Sequence, residues 1–416
     1  MTYLPRTLDA QLDALLGAAG AVVIEGPRGC GKTSTAMQRA ESMVRLEIEQ
    51  VARELARISP KSLLAGPTPR LIDEWQVEPT IWNDIRREID DRQAKGQFIL
   101  TGSAAQVAQR DLHPGSMRMV RLKMRTMTVA EAQQGPGGVS LEMLFETGSF
   151  EPKASDFDFE QMLRVLCLGG WPSNRELSVG QATKVNSSYL EDVARVDVAR
   201  VEGQRKNPIT VSRLIASLAR NVGTSVNSES LARELSLSGP PIKAETVLRY
   251  ESVLNDLMLI ETIQPWLAHL RSKDVVRVTP TRYLGDPSLV VAALGATPAS
   301  LTRDLRTLGF IFENLVVRDL LVYADALGAS IKHYRDSSNR EIDAILELPD
   351  GRWGAIEIKL GSHRVDEAAA NLKMLAKAIN TDVHGKPQFL AVITMSPYSY
   401  IREDGISVID IGSLQK

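Results

Sequence analysis

The hydrophobic pattern divides the chain into a strand-and-helix region, a helical region and a second region rich in strands. Over residues 6–20 the leucines Leu8, Leu12, Leu15 and Leu16 fall on one side of an amphipathic helix. Ala21–Glu25 is a short, β-branched apolar strand. The pattern then predicts a helix from Thr33 to about Arg57, broken at Ser59-Pro60. Pro69–Glu74 reads as a second strand, Ile81–Gln93 as a helix, and Gly96–Ser103 as a third strand with a glycine at its exit. Strands alternating with helices predict a parallel α/β sheet. That regime ends near Glu131, and the Gly, Pro, Ser and acidic residues that follow predict a linker over 136–160. Residues 161–272 are read as helical, and 273–416 as a further α/β domain. Its expected strands are Lys273–Thr279, Ser330–Arg335, Glu341–Leu348, Trp353–Lys359, Gln388–Thr394 and Gly405–Ile411, with helices at Leu308–Ala324 and Val365–Ile379. The first domain is expected to span 1–135.

The turn after the first strand carries the clearest chemistry. Gly26-Pro27-Arg28-Gly29-Cys30-Gly31-Lys32-Thr33 fits G-x-x-x-x-G-K-S/T, between a strand and a helix opening with Ser34. Backbone N–H groups in such a turn surround a phosphate chain, and glycines let the backbone curl without a Cβ in the way. Lys32 is expected to reach the β- and γ-phosphates, and Thr33 to offer its hydroxyl to Mg²⁺. Asp73 at the end of the second strand would hold the Mg²⁺ water shell, and Glu74 would polarise the attacking water. A hydroxyl at the end of the third strand, with Ser103 as the candidate, would sense the γ-phosphate or orient the attacking water. Arg118, Arg121 and Arg125 form a basic run with Lys123, from which an arginine, Arg118 first, would reach across a subunit boundary as a charge-stabilising finger.

Composition narrows the class. The formal net charge is −2, with 44% hydrophobic and 24% charged residues, which excludes a global polycation and leaves nucleic-acid contacts to local patches. Cys30 and Cys167 are the only cysteines, too few for a disulfide framework or a four-cysteine zinc site. No signal pattern opens the sequence and no apolar run is long enough to span a bilayer, so a cytoplasmic protein without membrane partners is expected.

The segments EGPRGCGKT, LIDEWQ and FILTGSAA, with an arginine-bearing stretch ending in MTVAEA, resemble a group of bacterial and archaeal AAA-type ATP-binding proteins. A Gly-Gly-aromatic-Pro motif of that group is matched by Gly169-Gly170-Trp171-Pro172, and a later helix by Tyr189-Leu190 to Asp197-Val198. The resemblance implies ATP binding and a C-terminal domain of unknown function. The chain departs from the group in placing Met117, rather than a glycine, before Arg118.

Two further constellations point to nucleic acid. Ser228–Leu235, a Gly-Pro-Pro turn, Ile242–Leu254 and the strand-like Asp256–Ile260 resemble a winged helix, with Lys243, Thr246 and Arg249 facing a groove and Glu245 and Glu251 diluting that face. Farther on, Glu313 lies on a helix, Asp343 on a strand, and Glu357 and Lys359 two apart on the next strand, hence on one face. Carboxylates so placed would hold Mg²⁺ or Mn²⁺, and Lys359 would activate water or stabilise phosphorane charge. This ordered set resembles the restriction-endonuclease-like, PD-(D/E)XK core, with His333, Arg335 and Arg340 as a phosphate track. The expected fold is thus a P-loop NTPase parallel sheet, a helical winged-helix-like middle and a restriction-endonuclease-like α/β domain. The expected activity is ATP hydrolysis coupled to metal-dependent nucleic-acid processing, on DNA ahead of RNA and in a possible homo-oligomer. The competing reading is an ATP-controlled DNA- or partner-binding regulator with an inactive nuclease-like domain.

Overall fold

A computed structural model describes residues 2–102, 115–133, 138–197, 207–237, 239–266, 279–335 and 340–416. Ser103 and all but the last residue of the expected strand at 273–279 lie outside the described residues. The strands, in chain order, are β1 Ala21–Glu25, β2 Ser42–Arg45, β3 Arg70–Asp73, β4 Phe98–Gly102, β5 Met119–Lys123, β6 Val139–Ser140, β7 Lys153–Ala154, β8 Ile260–Pro265, β9 Thr281–Leu284, β10 Ser330–Arg335, β11 Glu341–Glu347, β12 Trp353–Gly361, β13 Phe389–Met395, β14 Tyr398–Ile401, β15 Ser407–Asp410 and β16 Leu414–Gln415.

The first sheet is parallel throughout, in the order β2-β3-β4-β1-β5. Its central strands are apolar on both faces. Ala21, Val23, Ile72, Phe98 and Leu100 enter one core, while Val22, Ile24, Leu71 and Ile99 enter the other. Burial on both sides explains why these strands read as continuous apolar runs. The helix expected over Thr33–Arg57 is instead a short helix Lys32–Met37, the edge strand β2 and a helix Gln50–Ile58. Only Val44 of β2 is buried, so the strand carries almost no hydrophobic signature.

The second sheet has nine strands in the order β7-β14-β15-β13-β12-β11-β10-β8-β9. The helix Leu305–Leu327 packs on β10 and β12, and the helix Val365–Ala378 packs on β12 and β13. Separate cores result. Ala344, Ile356, Ile358 and Ile393 belong to one, and Ile345, Trp353, Ala355, Leu372 and Val392 to the other.

Of the expected linker 136–160, residues 138–160 are described, and they take part in the sheets instead of standing apart as a linker. β6 pairs with β16, β7 pairs with β14, and the helix Leu141–Thr147 buries Leu141, Leu144 and Phe145. Phe145 meets Phe389 edge-on at 5.1 Å. The middle region is helical through Ala244–Asp256, but β8 then pairs in parallel with β10 and antiparallel with β9. It therefore extends the C-terminal sheet across the expected boundary at 272.

His333 on β10 is 5% exposed, and among the described residues its Nε2 has no hydrogen-bond partner. Burial, reinforced by Arg335, pushes its pKa down to about 4 from 6.5. The fold therefore favours neutral imidazole. As pH falls from 6.5 towards 4 the unfolded chain takes up the proton first, and stability is lost across that window. The loss is about 3 kcal/mol for a shift of this size. Urea denaturation at pH 7 and pH 4.5 should show a clearly smaller difference for His333→Phe than for the wild type.

Candidate functional site

The phosphate loop leaves β1 at Glu25 and enters the helix Lys32–Met37. Gly29 and Gly31 have φ of 78° and 105°, values that strain any residue with a Cβ. A Cβ on Gly26 would lie 2.3 Å from the Met124 carbonyl oxygen, so this position needs glycine for close approach. Lys32 Nζ donates to the carbonyl oxygens of Gly26 and Pro27, both at 2.9 Å, and so curls over the loop it serves. Arg28 is exposed, Cys30 is buried, and Ser34 lines a pocket beside the loop.

Opposite the loop, Asp73 ends β3. Thr33 Oγ1 donates to Asp73 Oδ1 at 2.7 Å, and Thr101 Oγ1 donates to the same oxygen. An adjacent hydroxyl and carboxylate are hard oxygen donors, and they fit Mg²⁺. Glu74 follows in a left-handed conformation, φ 53°. Burial pushes its carboxyl above the ordinary range against the pull of Lys32. Gln76 donates its amide to Glu74 Oε2.

Sequence reasoning missed the groups that brace the loop from behind. Arg6 donates to Cys30 O at 2.9 Å and to Arg125 O at 2.8 Å, and it pairs with Glu131 at 3.0 Å. Nothing in the local pattern of an N-terminal arginine announces this role. A pocket of about 300 Å³ lies beside the loop, lined by Tyr3, Arg6, Gly31, Thr35, Pro172 and Arg175. For Pro172 a signal existed in the Gly-Gly-Trp-Pro motif. A Cβ on Gly169 would strike Asp286, and one on Gly170 would strike Met127 O and Arg318, so the two glycines let this turn dock.

Arg118 is not brought to the loop of its own chain. It precedes β5, which runs parallel to β1 with Ala21 opposite Met119, whereas the loop follows the far end of β1. Five residues of strand, roughly 17 Å, separate the two ends. Arg118 pairs with Asp90 at 2.5 Å, and Arg121 pairs with Glu25 while lying over Trp82. Arg125 is buried and pairs with Glu261 and Asp325.

In the C-terminal sheet, β11 and β12 are antiparallel, and one step beyond the pair Ala344–Ile356 Asp343 stands opposite Glu357. Lys359 Nζ pairs with both, at 3.3 Å from Asp343 Oδ2. Ile358 N donates to Asp343 Oδ2 at 2.6 Å, and Asn371 donates to Glu357 Oε1 at 3.3 Å. Burial and the neighbouring Asp343 push Glu357 up to about 8. Burial opposes the charge of Lys359, but Asp343 and Glu357 hold the ammonium above its ordinary value. These side chains, with Arg340 and Arg364, line a pocket of about 320 Å³.

Glu313 does not complete the expected ligand set. Tyr283 Oη donates to Glu313 Oε1 at 2.6 Å, and burial followed by Asp343 raises the Glu313 carboxyl well above its usual range. Among the described residues no three His, Cys, Asp or Glu side chains group closely enough to hold a metal ion. Asp343 and Glu357 are a pair. His333 is buried in the sheet rather than on a phosphate track, and Arg335 pairs with Glu341 at 3.0 Å.

Residues 18–133 match the family model of an AAA domain. Residues 159–300 and 308–414 match two domains of unknown function, DUF8612 and DUF4143. No curated protein matches the chain. Among solved structures it is similar to the Walker-type ATPase paby2304 of Pyrococcus abyssi, at 15% identity over 68% of this chain and 94% of that one, with a TM-score of 0.39. AMPPCP-bound DnaA from Aquifex aeolicus shows 14% identity over 60% and 86% of the two chains, with a TM-score of 0.28. A DNA replication initiation factor shows 14% identity over 60% and 90%, with a TM-score of 0.24. The chain carries an AAA-type P-loop ATPase, and it binds ATP. Among the described residues no helix is long and apolar enough to cross a membrane.

Proposed function

We propose that ATP turnover at the Lys32 loop controls a nucleic-acid-processing site on the C-terminal sheet. The observation that carries this reading is the convergence of Asp343, Glu357 and Lys359 in one pocket from two adjacent strands. That convergence supports reading the sheet as a restriction-endonuclease-like core. Mg²⁺ is commonly held by one or two carboxylates with water and substrate phosphate completing the shell, and Asp343 and Glu357 would serve. Such an ion supplies charge neutralisation at the phosphodiester; Lys359, Arg340 and Arg364 would orient the phosphate. At the loop, Thr33 and Asp73 would hold Mg²⁺, Lys32 would bind the phosphates, Glu74 would accept the water proton, and the Tyr3–Arg175 pocket would take the nucleoside.

Coupling has a physical route. Arg6 ties the loop carbonyl of Cys30 to Arg125 and Glu131, and Arg125 is in turn paired with Glu261 of β8 and Asp325 of the helix Leu305–Leu327. A winged-helix-like DNA contact is supported by the three helices Pro208–Arg220, Ser228–Leu237 and Ala244–Asp256 leading into the β8–β9 pair. Glu251 is turned inward to Arg282 at 2.7 Å, leaving Lys243 and Arg249 exposed on the outer side. Arg118, remote from its own loop, acts as a finger only in a homo-oligomer, and the buried thiols suit the cytoplasm.

The test is incubation with single- and double-stranded DNA and RNA, with Mg²⁺ or Mn²⁺, with and without ATP. Asp343→Ala should remove cleavage and leave ATP turnover at the wild-type rate. A cleavage activity that survives Asp343→Ala rejects the assignment. The second reading, a non-cleaving regulator, is favoured by the Lys359 ammonium already neutralising both carboxylates. It predicts ATP-dependent retention of DNA without product.

A further inference from the structure

Gln76 ends the LIDEWQ segment without a role assigned so far, and its side chain is divided between a made and an unmade hydrogen bond. It stands two residues after Glu74 and is 7% exposed. Its Nε2 donates to Glu74 Oε2, whereas its Oε1 has no partner among the described residues. That oxygen points at the end of β4, where a Cβ on Gly102 would lie 2.1 Å from it. β4 lies between β1, which feeds the phosphate loop, and β3, which ends in Asp73.

A carboxamide both donates and accepts. Here the donor half is committed to the carboxylate of Glu74, and the acceptor half is held in a buried niche with no donor among the described residues. Buried acceptors are normally satisfied, so an orphan beside a reaction centre marks a place where a donor arrives in another state. Hydrolysis brings such a donor, the attacking water. Water has two O–H groups, and two acceptors beside each other fix both, leaving a lone pair to face the phosphorus.

We propose that Gln76 orients the attacking water for ATP hydrolysis, anchoring Glu74 through its amide N–H and accepting from the water through Oε1. The inference rests on Glu74 being the proton acceptor. In the step, the water oxygen forms a bond to the γ-phosphorus, and the bond from that phosphorus to the β,γ-bridging oxygen breaks. The bridging oxygen leaves on ADP with the electron pair, and one water proton passes to Glu74. Neither glutamine atom changes its covalent state. Its contribution is orientation, the role a positioned glutamine plays in other nucleotide hydrolases.

The test compares Gln76→Ala, Gln76→Glu, Gly102→Ala and Glu74→Gln with the wild type. Steady-state ATP turnover, nucleotide affinity with a fluorescent ATP analogue, and the melting temperature are measured for each. Gln76→Ala should lower kcat about 100-fold with affinity within twofold of wild type. Gln76→Glu keeps the shape but loses the donor and sets a second carboxylate against Glu74, so it should fall at least as far. Gly102→Ala displaces the amide without altering it and should reduce kcat in the same direction. A wild-type kcat for Gln76→Ala overturns the proposal, as does a fall in kcat matched by lost affinity or a collapsed melting temperature. If Glu74→Gln stops turnover while Gln76→Ala does not, only the role of Gln76 fails. Undiminished turnover in Glu74→Gln removes the underlying assignment as well.

Discussion

Replacing Lys32 with alanine should lower ATP turnover by about 1,000-fold while leaving the fold intact. Lys32 is 6% exposed, and its ammonium donates to the loop carbonyls of Gly26 and Pro27. Those oxygens can be hydrated when the side chain is removed, so the structural cost is small. The functional cost is large because the transferred phosphoryl group loses the cation placed to meet its developing charge. Lys32→Arg should not rescue turnover, since a planar guanidinium does not fit where a compact ammonium curls over glycine backbone. Phosphate release and the melting temperature, measured on the same samples, decide the matter. Turnover near the wild-type rate in Lys32→Ala would remove the loop from the catalytic account.

Arg318→Met should be the most damaging single change to stability. Arg318 is 2% exposed and lies between Asp286 and Asp319, both fully buried. Asp286 also accepts from Thr126 Oγ1 and from Gly170 N, and Asp319 accepts from Val129 N at 2.9 Å. The arginine therefore joins the end of the ATPase domain, the Gly-Gly-Trp-Pro turn and the long helix. Removing it leaves two buried carboxylates without their cation, a loss of about 3–5 kcal/mol. Against a total stability of about 5–15 kcal/mol, that approaches unfolding. Urea denaturation should show the midpoint falling sharply. Removing a carboxylate together with the arginine, as in Arg318→Met with Asp319→Leu, should recover part of it. Equal stability of Arg318→Met and wild type would show that the network contributes nothing net.

The phosphate loop was legible because its chemistry is local: glycines, Lys32 and Thr33 must be consecutive to wrap an anion. β1, β3 and β4 were legible because burial on both faces leaves an apolar run. Glu357 and Lys359 were legible through the two-residue period of a strand, and Asp343 through its adjacency. β5 was not, because only Met119 and Leu122 are buried, each in a different core, and the exposed Arg121 and Lys123 between and beside them mask an apolar run. β2 was hidden by having a single buried residue. Residues 136–160 read as a linker because glycine, proline, serine and acidic residues dominate the segment, and its few apolar residues find partners hundreds of positions away. Arg6, Glu131 and Gln76 act through contacts that no spacing rule contains. Glu313 was placed on the correct helix, but nothing local showed that Tyr283 would hold its carboxylate.

β7 and β8 determine how the gene can be divided. They come from residues 153–154 and 260–265, yet they belong to the sheet that carries Glu357. A fragment beginning at residue 273 would strip the flank of β10 that β8 covers, exposing unpaired backbone groups that favour self-association. Expression from residue 138 onward retains both strands, and it is the shorter polypeptide to choose for studying the distal pocket by itself.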